Sequence, residues 1–478
     1  MLLGLSPMAF SQTQDAASTR VWNLRQCIEY ALEKNLVIQR SELNTESAEI
    51  DLRQSKLGLS PTVNGSVNYG FNWGRTVDPV TYDYTTQELR SMNPSLNGSL
   101  LLFNGLSNQN SIKRYSSAYY ASEQDLQKTK NDVMVNITTL YINVIFSKEQ
   151  LENSRLQLQS SQAQLDRVKK QVAAGALAKS EELTLDAQVA TNEVSLIQSE
   201  NALNLAILQL KQALQIPARE PLDVQVIDLS VEDLVLDQSR DEVYDIARQT
   251  MPEIKSAKLK VESSSYAVKA ARGQYYPRLS LFGSLGSNYS SASDRARFVP
   301  DGGAPVLTGY QQIGVVDGTN QVVLSPVYQP SGAMQDSWGY SDQLNDNLQR
   351  SVGLSLSIPI LNGFQTRSNV QRSMISRNIA EISATEAENT LRQSVENVYN
   401  DALAAFKTYN SALRQVAARE EAFRMMEQRR TAGAANSFEY QIAENDLFRA
   451  RTDLTRAKYE FIFRKKVLDF YQGKPLDY

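Results

Sequence analysis

Two long stretches of the chain contain neither glycine nor proline, and each stops at a glycine. They run from Leu106 to Ala174, before Gly175, and from Phe364 to Ala432, before Gly433. Apolar side chains in the first stretch recur every seven residues, at Leu151, Leu158, Leu165 and Val172. Heptad spacing sustained without a breaker predicts a very long helix in coiled-coil-like packing. Such a helix spans roughly 100 Å, which is too long for an ordinary globular domain.

Four shorter stretches alternate apolar and polar residues, which predicts strands with one apolar and one polar face. They cover residues 62–73, 95–103, 278–289 and 351–361. The segment between the last two, 290–347, is rich in glycine, serine and aspartate and predicts a long loop. Helical periodicity and helix breakers predict the remaining helices, at 24–35, 36–59, 179–215, 241–250, 253–274 and 436–471.

The second half of the chain repeats the first. The matched tripeptides are Phe103–Gly105 with Leu361–Gly363, and Ala174–Ala176 with Ala432–Ala434. Both offsets are 258 residues (361 − 103 and 432 − 174), so the two long helices are predicted to be equally long. The prolines that precede the strand pairs, Pro61 and Pro277, are only 216 residues apart (277 − 61). The second repeat therefore has 42 more residues (258 − 216) between its proline and its long helix, and we place them in the connection between its two strands. We expect two structural repeats, 12–235 and 236–478.

The predicted strands have the length of strands that cross a bilayer at a tilt. The sequence has no run of 18 consecutive apolar residues, so no transmembrane helix is predicted. Four strands cannot close a barrel, and an open sheet edge is not tolerated in lipid. We therefore expect several identical copies to contribute strands to one closed ring.

Composition excludes several classes of function. The net charge of −4 and the pI near 5.4, with basic residues spread among acidic ones, argue against a nucleic-acid-binding surface. The absence of histidine removes most nucleophile–base pairs and transition-metal sites, so no enzyme, metal or cofactor is predicted. The single cysteine, Cys27, cannot form an intrachain disulfide. It is interpreted as a buried apolar residue of the first helix rather than a reactive thiol.

The first eleven residues are predicted to be the back part of a signal peptide. A short apolar run ends in Ala9–Ser11, whose small residues fit a cleavage site, although the positively charged front of such a peptide is missing. A disordered apolar tail is the alternative.

Both halves follow one order: helix, proline, strand pair, Asn-Gly bend, long helix, Ala-Gly-Ala turn and return helix. In this order and in its equal long helices, the chain resembles the TolC outer-membrane efflux protein family. The resemblance extends over about Val21 to Tyr471. The opening Trp22–Ile28, with Ala31 and Asn35, is also similar to the family's first helix.

The resemblance implies an α+β membrane protein that works as a homotrimer. Four strands from each copy would form a twelve-stranded β-barrel in outer-membrane lipid. The long helices would continue the barrel as a periplasmic coiled-coil tunnel, with 290–347 as an extracellular loop and 216–235 in a small mixed equatorial region. The resemblance also implies a periplasmic adaptor and an inner-membrane transporter of the resistance-nodulation-division, ABC or similar type. The channel would passively conduct substrates of a tripartite efflux or type I secretion system.

In that family the turns between the long and return helices dock the adaptor and form an iris-like gate. The corresponding residues here are Gly175, Ala176, Leu177, Gly433, Ala434 and Ala435. Ser180 and Glu181 match the polar and acidic gate residues after the first turn, and Glu439 matches an acidic residue that faces the lumen. Ile442 stands where a second acidic residue is usual.

The arginine that usually follows the second glycine is replaced by Ala435, and Arg430 is the candidate substitute. We predict a contact between Arg430 and Glu181 that helps to hold the gate closed. Solvated charges on outward faces are the alternative for both residues.

A non-conducting coiled-coil surface protein or adhesin is the alternative function, because long heptad helices fit it equally well. Strands in duplicate and equally long helices favour a duct, since a fibre needs neither feature. A periplasmic adaptor also has a long helical hairpin but lacks paired membrane-length strands in duplicate.

Overall fold

The computed structural model describes residues 21–77, 82–86, 88–226, 238–293, 297–335 and 337–474. The predicted signal segment, 1–11, and residues 227–235 of the predicted equatorial segment lie outside the described residues. The fold is rich in helix and has a smaller amount of sheet. The chain divides into two compact units, which are Met1–Leu52, Lys113–Tyr266 and Met374–Tyr478 for the first, and Arg53–Ile112 and Ala267–Ser373 for the second.

The helices of the described residues are α1 (Leu24–Lys34), α2 (Leu36–Leu57), α3 (Ser107–Ala173), α4 (Lys179–Leu214), α5 (Arg240–Thr250), α6 (Pro252–Gly273), α7 (Tyr340–Asp346), α8 (Gln365–Thr431) and α9 (Ser437–Tyr471). The two long helices, α3 and α8, each contain 67 residues. They begin and end 258 residues apart (365 − 107 and 431 − 173), which is the offset seen in the sequence. None of the helices in the described ranges is both long enough and apolar enough to cross a membrane.

The strands of the described residues are β1 (Val21–Trp22), β2 (Thr62–Asn72), β3 (Thr76–Val77), β4 (Tyr84–Thr85), β5 (Leu89–Phe103), β6 (Asp223–Val224), β7 (Arg278–Gly286), β8 (Tyr289–Ser290), β9 (Arg297–Pro300), β10 (Val306–Val315), β11 (Val322–Gln329), β12 (Gly332–Gln335) and β13 (Gln349–Ser357). An antiparallel sheet in the second unit has the order β13-β7-β5-β2, and β8 pairs with β5. The strands β2 and β13 are therefore the outer strands of this sheet.

Three of the four predicted strands differ from the sequence prediction by two residues or more at one or both ends, and β7 ends at Gly286 rather than at 289. The strand β5 begins at Leu89 rather than at 95. Residues 89–94 do not alternate between apolar and polar side chains, but their backbone pairs with β2, beginning with Leu89 opposite Asn72. The strand β13 ends at Ser357, so Ile358 and Ile360 lie beyond it, contrary to the predicted strand 351–361. Pro359 has no N–H to donate and ends the ladder.

The prediction of a loop over 290–347 is wrong for much of this segment. Here β9 pairs with β12, β10 pairs with β11, and α7 follows. The register of β10 shifts between Leu307 and Gly309 and again between Gln312 and Gly314. Each shift interrupts the period-two pattern, which hides this strand from sequence analysis.

The core of the first unit forms around α1. The side chain of Asn23 accepts a hydrogen bond from the backbone N–H of Gln26 at 2.8 Å, and a capping box fixes the start of the helix. Its buried residues pack against α3 and α4, in a cluster that includes Leu24, Cys27, Ala31, Ile137, Tyr141, Ile145, Leu210 and Leu214. Cys27 is fully buried, as predicted, and burial raises the pKa of its thiol to about 12.

The bends before the two long helices use the same backbone conformation. Gly105 and Leu106 have φ of 66° and 62°, and Gly363 and Phe364 have φ of 60° and 59°. A Cβ atom at Gly105 would lie 2.3 Å from the backbone oxygen of Gly273, so no larger residue fits there.

Candidate functional site

The turns that follow α3 and α8 share one geometry. In each, the amides of the glycine and of the next residue bond to carbonyl oxygens of the last helical turn at 2.8–3.0 Å. Gly175 and Gly433 have φ of 72° and 73° and close Schellman motifs. No atom lies within 4 Å of a Cβ built on either glycine, so the left-handed backbone, and not crowding, requires glycine here.

The return helices begin differently after these turns. Ala178 precedes α4 and offers no side-chain cap, whereas the side chain of Asn436 accepts a hydrogen bond from the backbone N–H of Glu439 at 2.8 Å. Ser180 is exposed and Glu181 is half-buried in the first turn of α4. Glu439 is half-buried in the first turn of α9. The start of α9 is therefore the more firmly fixed of the two.

The helices α3 and α4 pack through apolar side chains close to the first turn. The cluster comprises Leu158, Leu165, Val168, Val172, Leu177, Leu185 and Val189. Leu158, Leu165 and Val172 are the heptad positions seen in the sequence, and Leu177 of the turn packs against the cluster. Farther from the turn, Ser154 and Ser199 share a buried hydrogen bond of 2.9 Å.

In contrast, α9 joins α3 and α4 through polar contacts in this region. The hydrogen-bonded pairs are Ser160–Glu444 (2.6 Å), Gln164–Glu444 (2.6 Å), Gln157–Asn445 (3.4 Å) and Gln188–Gln441 (2.9 Å). The carboxylate of Glu444 accepts from both of its partners, one at each oxygen. Sequence analysis missed Glu444. The only signal was the run of amide and hydroxyl side chains on α3 between 157 and 164.

The same interface becomes apolar farther from the turns. Tyr459 and Ile462 of α9 are buried in the core that contains Ile137, Tyr141 and Ile145 of α3. The contact between α9 and the first helical pair therefore changes along its length, from hydrogen-bonded polar groups near the turns to a largely apolar core in which the Tyr459 hydroxyl donates a hydrogen bond to Glu149.

The guanidinium of Arg430 lies over a tyrosine ring. It is 4.2 Å from the centroid of the Tyr440 ring, which in turn packs against Phe423. Burial raises the pKa of Tyr440. In the described part of the chain, no ion pair joins Arg430 to Glu181, so the structure does not bring this predicted pair together. The stacking of α8 on α9 directs Arg430 towards Tyr440 instead.

Ion pairs also connect α8 with α9. Arg419 lies 2.8 Å from Asp446, and Arg451 lies 2.8 Å from Glu420. Exposed pairs of this kind contribute about 0–1 kcal/mol each. They help to set the register of the two helices but do not hold them rigidly together.

The described residues contain no group of three or more cysteine, aspartate and glutamate side chains arranged to hold a metal ion. The helix turns offer backbone amides, half-buried carboxylates and an aromatic–cation pair; the carboxylates are Glu181 and Glu182 after the first turn and Glu439 after the second. These groups can make polar contacts and carry negative charge at the turns.

The fold is shared with outer-membrane channels of known structure. The outer-membrane channel OprN matches with a TM-score of 0.71 at 17% sequence identity, over 95% of this chain and 90% of that chain. CusC, from a structural study of transmembrane channel formation, matches with a TM-score of 0.68 at 18% identity, over 98% of this chain and 97% of that chain. The chain therefore has the fold of these outer-membrane channels.

Sequence comparison assigns the family. The model of the outer membrane efflux protein family matches residues 27–214 and 243–465, and the chain belongs to this family. It is 21% identical over 467 residues to outer membrane protein TolC of Escherichia coli, covering 97% of this chain and 84% of that protein. The predicted outer-membrane efflux channel is therefore confirmed, and the fibre or adhesin is not supported. Members of the family are channels rather than enzymes.

Proposed function

We propose that three copies of this chain form the outer-membrane duct of a tripartite efflux or type I secretion system. Four strands from each copy (β2, β5, β7 and β13) close a twelve-stranded barrel, and the long helices form the wall of a periplasmic tunnel. A periplasmic adaptor docks at the helix turns, and an inner-membrane transporter, of the resistance-nodulation-division or ABC type, supplies the energy. The two sequence repeats, 12–235 and 236–478, each supply one strand pair and one helical pair.

Uncovered apolar stripes on two helices are the observation that carries the trimer. On α2 they recur every seven residues, and the side chains are 51–64% exposed: Leu36, Leu43, Ile50 and Leu57. On α8 they have helical spacing and are 58–60% exposed: Ile375, Ile379 and Ile382. Isolated exposed apolar residues are normal, but two stripes at helical spacing indicate surfaces that are covered in an assembly. The outer strands β2 and β13 also have unpaired backbone edges, which need strands of neighbouring copies to bond with.

The graded interface of α9 supports opening at the turns. Near the turns, separating α9 from α3 breaks hydrogen bonds that water replaces. The net cost is about 0.5–1.5 kcal/mol for the neutral Gln157–Asn445 bond and about 0.5–1 kcal/mol for each of the two half-exposed bonds to the Glu444 carboxylate. Farther away, separation would expose Tyr459 and Ile462, at about 1.5–3 kcal/mol for each large apolar side chain. The iris-like movement is therefore confined to the end that carries Gly175 and Gly433.

Apart from Arg430, the candidate gate residues keep the roles given to them by the family resemblance. The residues that contact the adaptor are Gly175, Ala176, Leu177, Gly433, Ala434 and Ala435. Glu439 and Glu181 bring negative charge to the constriction, beside Ser180. Arg430 acts through Tyr440, by fixing the end of α8 against α9.

The trimer is tested by placing a charge in the α2 stripe. Leu43→Asp should dissociate the purified complex, because it removes an apolar contact of about 1.5–3 kcal/mol per copy and buries a charge. The matched control is Asn44→Asp, which adds the same charge to an exposed neighbouring position off the stripe. Light scattering in detergent gives the mass. A monomeric wild-type protein, or equal masses for both variants, would contradict the proposal.

A further inference from the structure

The hairpin of β10 and β11 has one apolar face that the described chain leaves uncovered. Opposed residues of an antiparallel pair share a face, and the register pairs Leu307 with Tyr328, Tyr310 with Pro326, Gln312 with Leu324, and Val315 with Val322. Six of these side chains are 43–64% exposed: Leu307, Tyr310, Val315, Val322, Leu324 and Tyr328. We call these six residues the hairpin face. The opposite side carries smaller and more polar pairs, such as Gln311 with Ser325.

The size of the hairpin face limits what it can bind. Two strands of about eight residues, with a rise of ~3.3 Å per residue and a spacing of ~4.8 Å, present roughly 250–300 Å². A stable interface between free proteins needs about 800 Å² on each partner, so this face is too small to recruit a partner from solution. It is large enough to pack against a partner that is already held nearby, where the effective concentration reaches about the millimolar range.

The charge pattern points to another copy of the same chain. Between Asp301 and Asp336 the only charged residue is Asp317, which lies in the turn of the hairpin. When three copies of one face converge close to the symmetry axis, any charge on that face lies near two identical charges, so such a face must be nearly free of charge. The hairpin also lies between β7 and β13 in the chain, and β13 is the outer strand that meets the neighbouring copy in the proposed trimer.

We propose that the hairpin faces of neighbouring copies pack on one another and form a cap at the end of the sheet that carries the β7–β13 connection. The proposal rests on the trimer proposed above, which holds the three hairpins close together. It assigns a function to the insertion that makes the second strand connection longer than the first.

Cysteine substitution in intact cells tests the cap. Leu324→Cys lies on the hairpin face, Tyr310→Cys is a second variant on the same face, and Gln311→Cys is the control on the opposite side. The native Cys27 stays in place because it is fully buried. With a short bis-maleimide, we expect Leu324→Cys to give at least about tenfold more covalent dimer than Gln311→Cys, because the linked residues are held near each other.

A bulky polyethylene glycol maleimide tests whether the face is covered. It should modify Leu324→Cys at least about tenfold more slowly than Gln311→Cys, because a packed face excludes a large reagent. A complex with trimer mass but equal cross-linking of all variants would overturn the cap and leave the trimer standing. Protection of Leu324→Cys without cross-linking would mean that lipid or another protein covers the face, and would also overturn it. A monomeric wild-type protein would overturn both proposals.

Discussion

Removal of the Glu444 carboxylate should release the end of α9 from α3. This group accepts hydrogen bonds of 2.6 Å from the hydroxyl of Ser160 and the amide of Gln164, and it is half-buried. A hydrogen bond to a charged group contributes about 1.5–3 kcal/mol when buried, and solvent exposure reduces this to about 0.5–1 kcal/mol for each bond here. Glu444→Ala should therefore destabilise the closed contact by about 1–2 kcal/mol per copy.

In the proposed trimer, the effect is multiplied because three copies open together. The sum is about 3–6 kcal/mol, and a tenfold change corresponds to about 1.4 kcal/mol, so the open state should gain at least about 100-fold in population. Single-channel recording of the purified full-length protein in planar bilayers measures this gain. Glu444→Gln should have a smaller effect, because a neutral side chain of the same shape still accepts a hydrogen bond from Ser160 or Gln164.

Glu193→Ala is the matched control. Glu193 is an exposed carboxylate of α4, and no hydrogen bond or ion pair of its side chain is found within the described residues. It changes the net charge as Glu444→Ala does and should leave the closed-state current unchanged. If Glu444→Ala and Glu193→Ala conduct alike, the polar contact does not restrain the opening and the reasoning is refuted.

Two further predictions concern the helix cap and the buried thiol. Asn436→Ala should destabilise the start of α9 by about 1 kcal/mol and accelerate hydrogen exchange of its first backbone amides about fivefold. Asn436→Asp is the control, because it keeps an acceptor for the N–H of Glu439. Equal exchange rates in the two variants would contradict the role of Asn436 as a helix cap. Cys27 should react with a maleimide only after unfolding, because burial raises its thiol pKa from 9.0 to about 12. The buried, protonated thiol contributes its full stabilisation below pH 9, and this contribution is lost as the pH rises towards 12. Maleimide labelling of Cys27 in the folded protein at about pH 8 would contradict its burial.

The sequence by itself determined the long helices and their turns. The bounds of α3 and α8 depend on local signals, since periodic apolar residues favour the helix and Gly105, Gly175, Gly363 and Gly433 supply the left-handed backbone that ends it or precedes it. Burial of Cys27 was also predicted, because a free cysteine in a helix behaves as a small apolar residue.

Other elements escaped prediction because their signals are not local. The hairpin of β10 and β11 contains register shifts that only backbone pairing reveals, and β13 stops early at Pro359 although the apolar alternation continues through Ile360. In both cases the hydrogen-bonding partner decides the strand, and a pattern of side chains does not contain that information.

Only the tertiary structure decided which polar residues meet at the candidate gate. Glu444 is separated from Gln164 by 280 residues, and Arg430 faces Tyr440 rather than Glu181. A heptad pattern shows which side of a helix is buried, but it does not show which helix covers that side or how the two are rotated. Those choices follow from the packing of α9 between its neighbours, because the fit of all contacting side chains sets one arrangement.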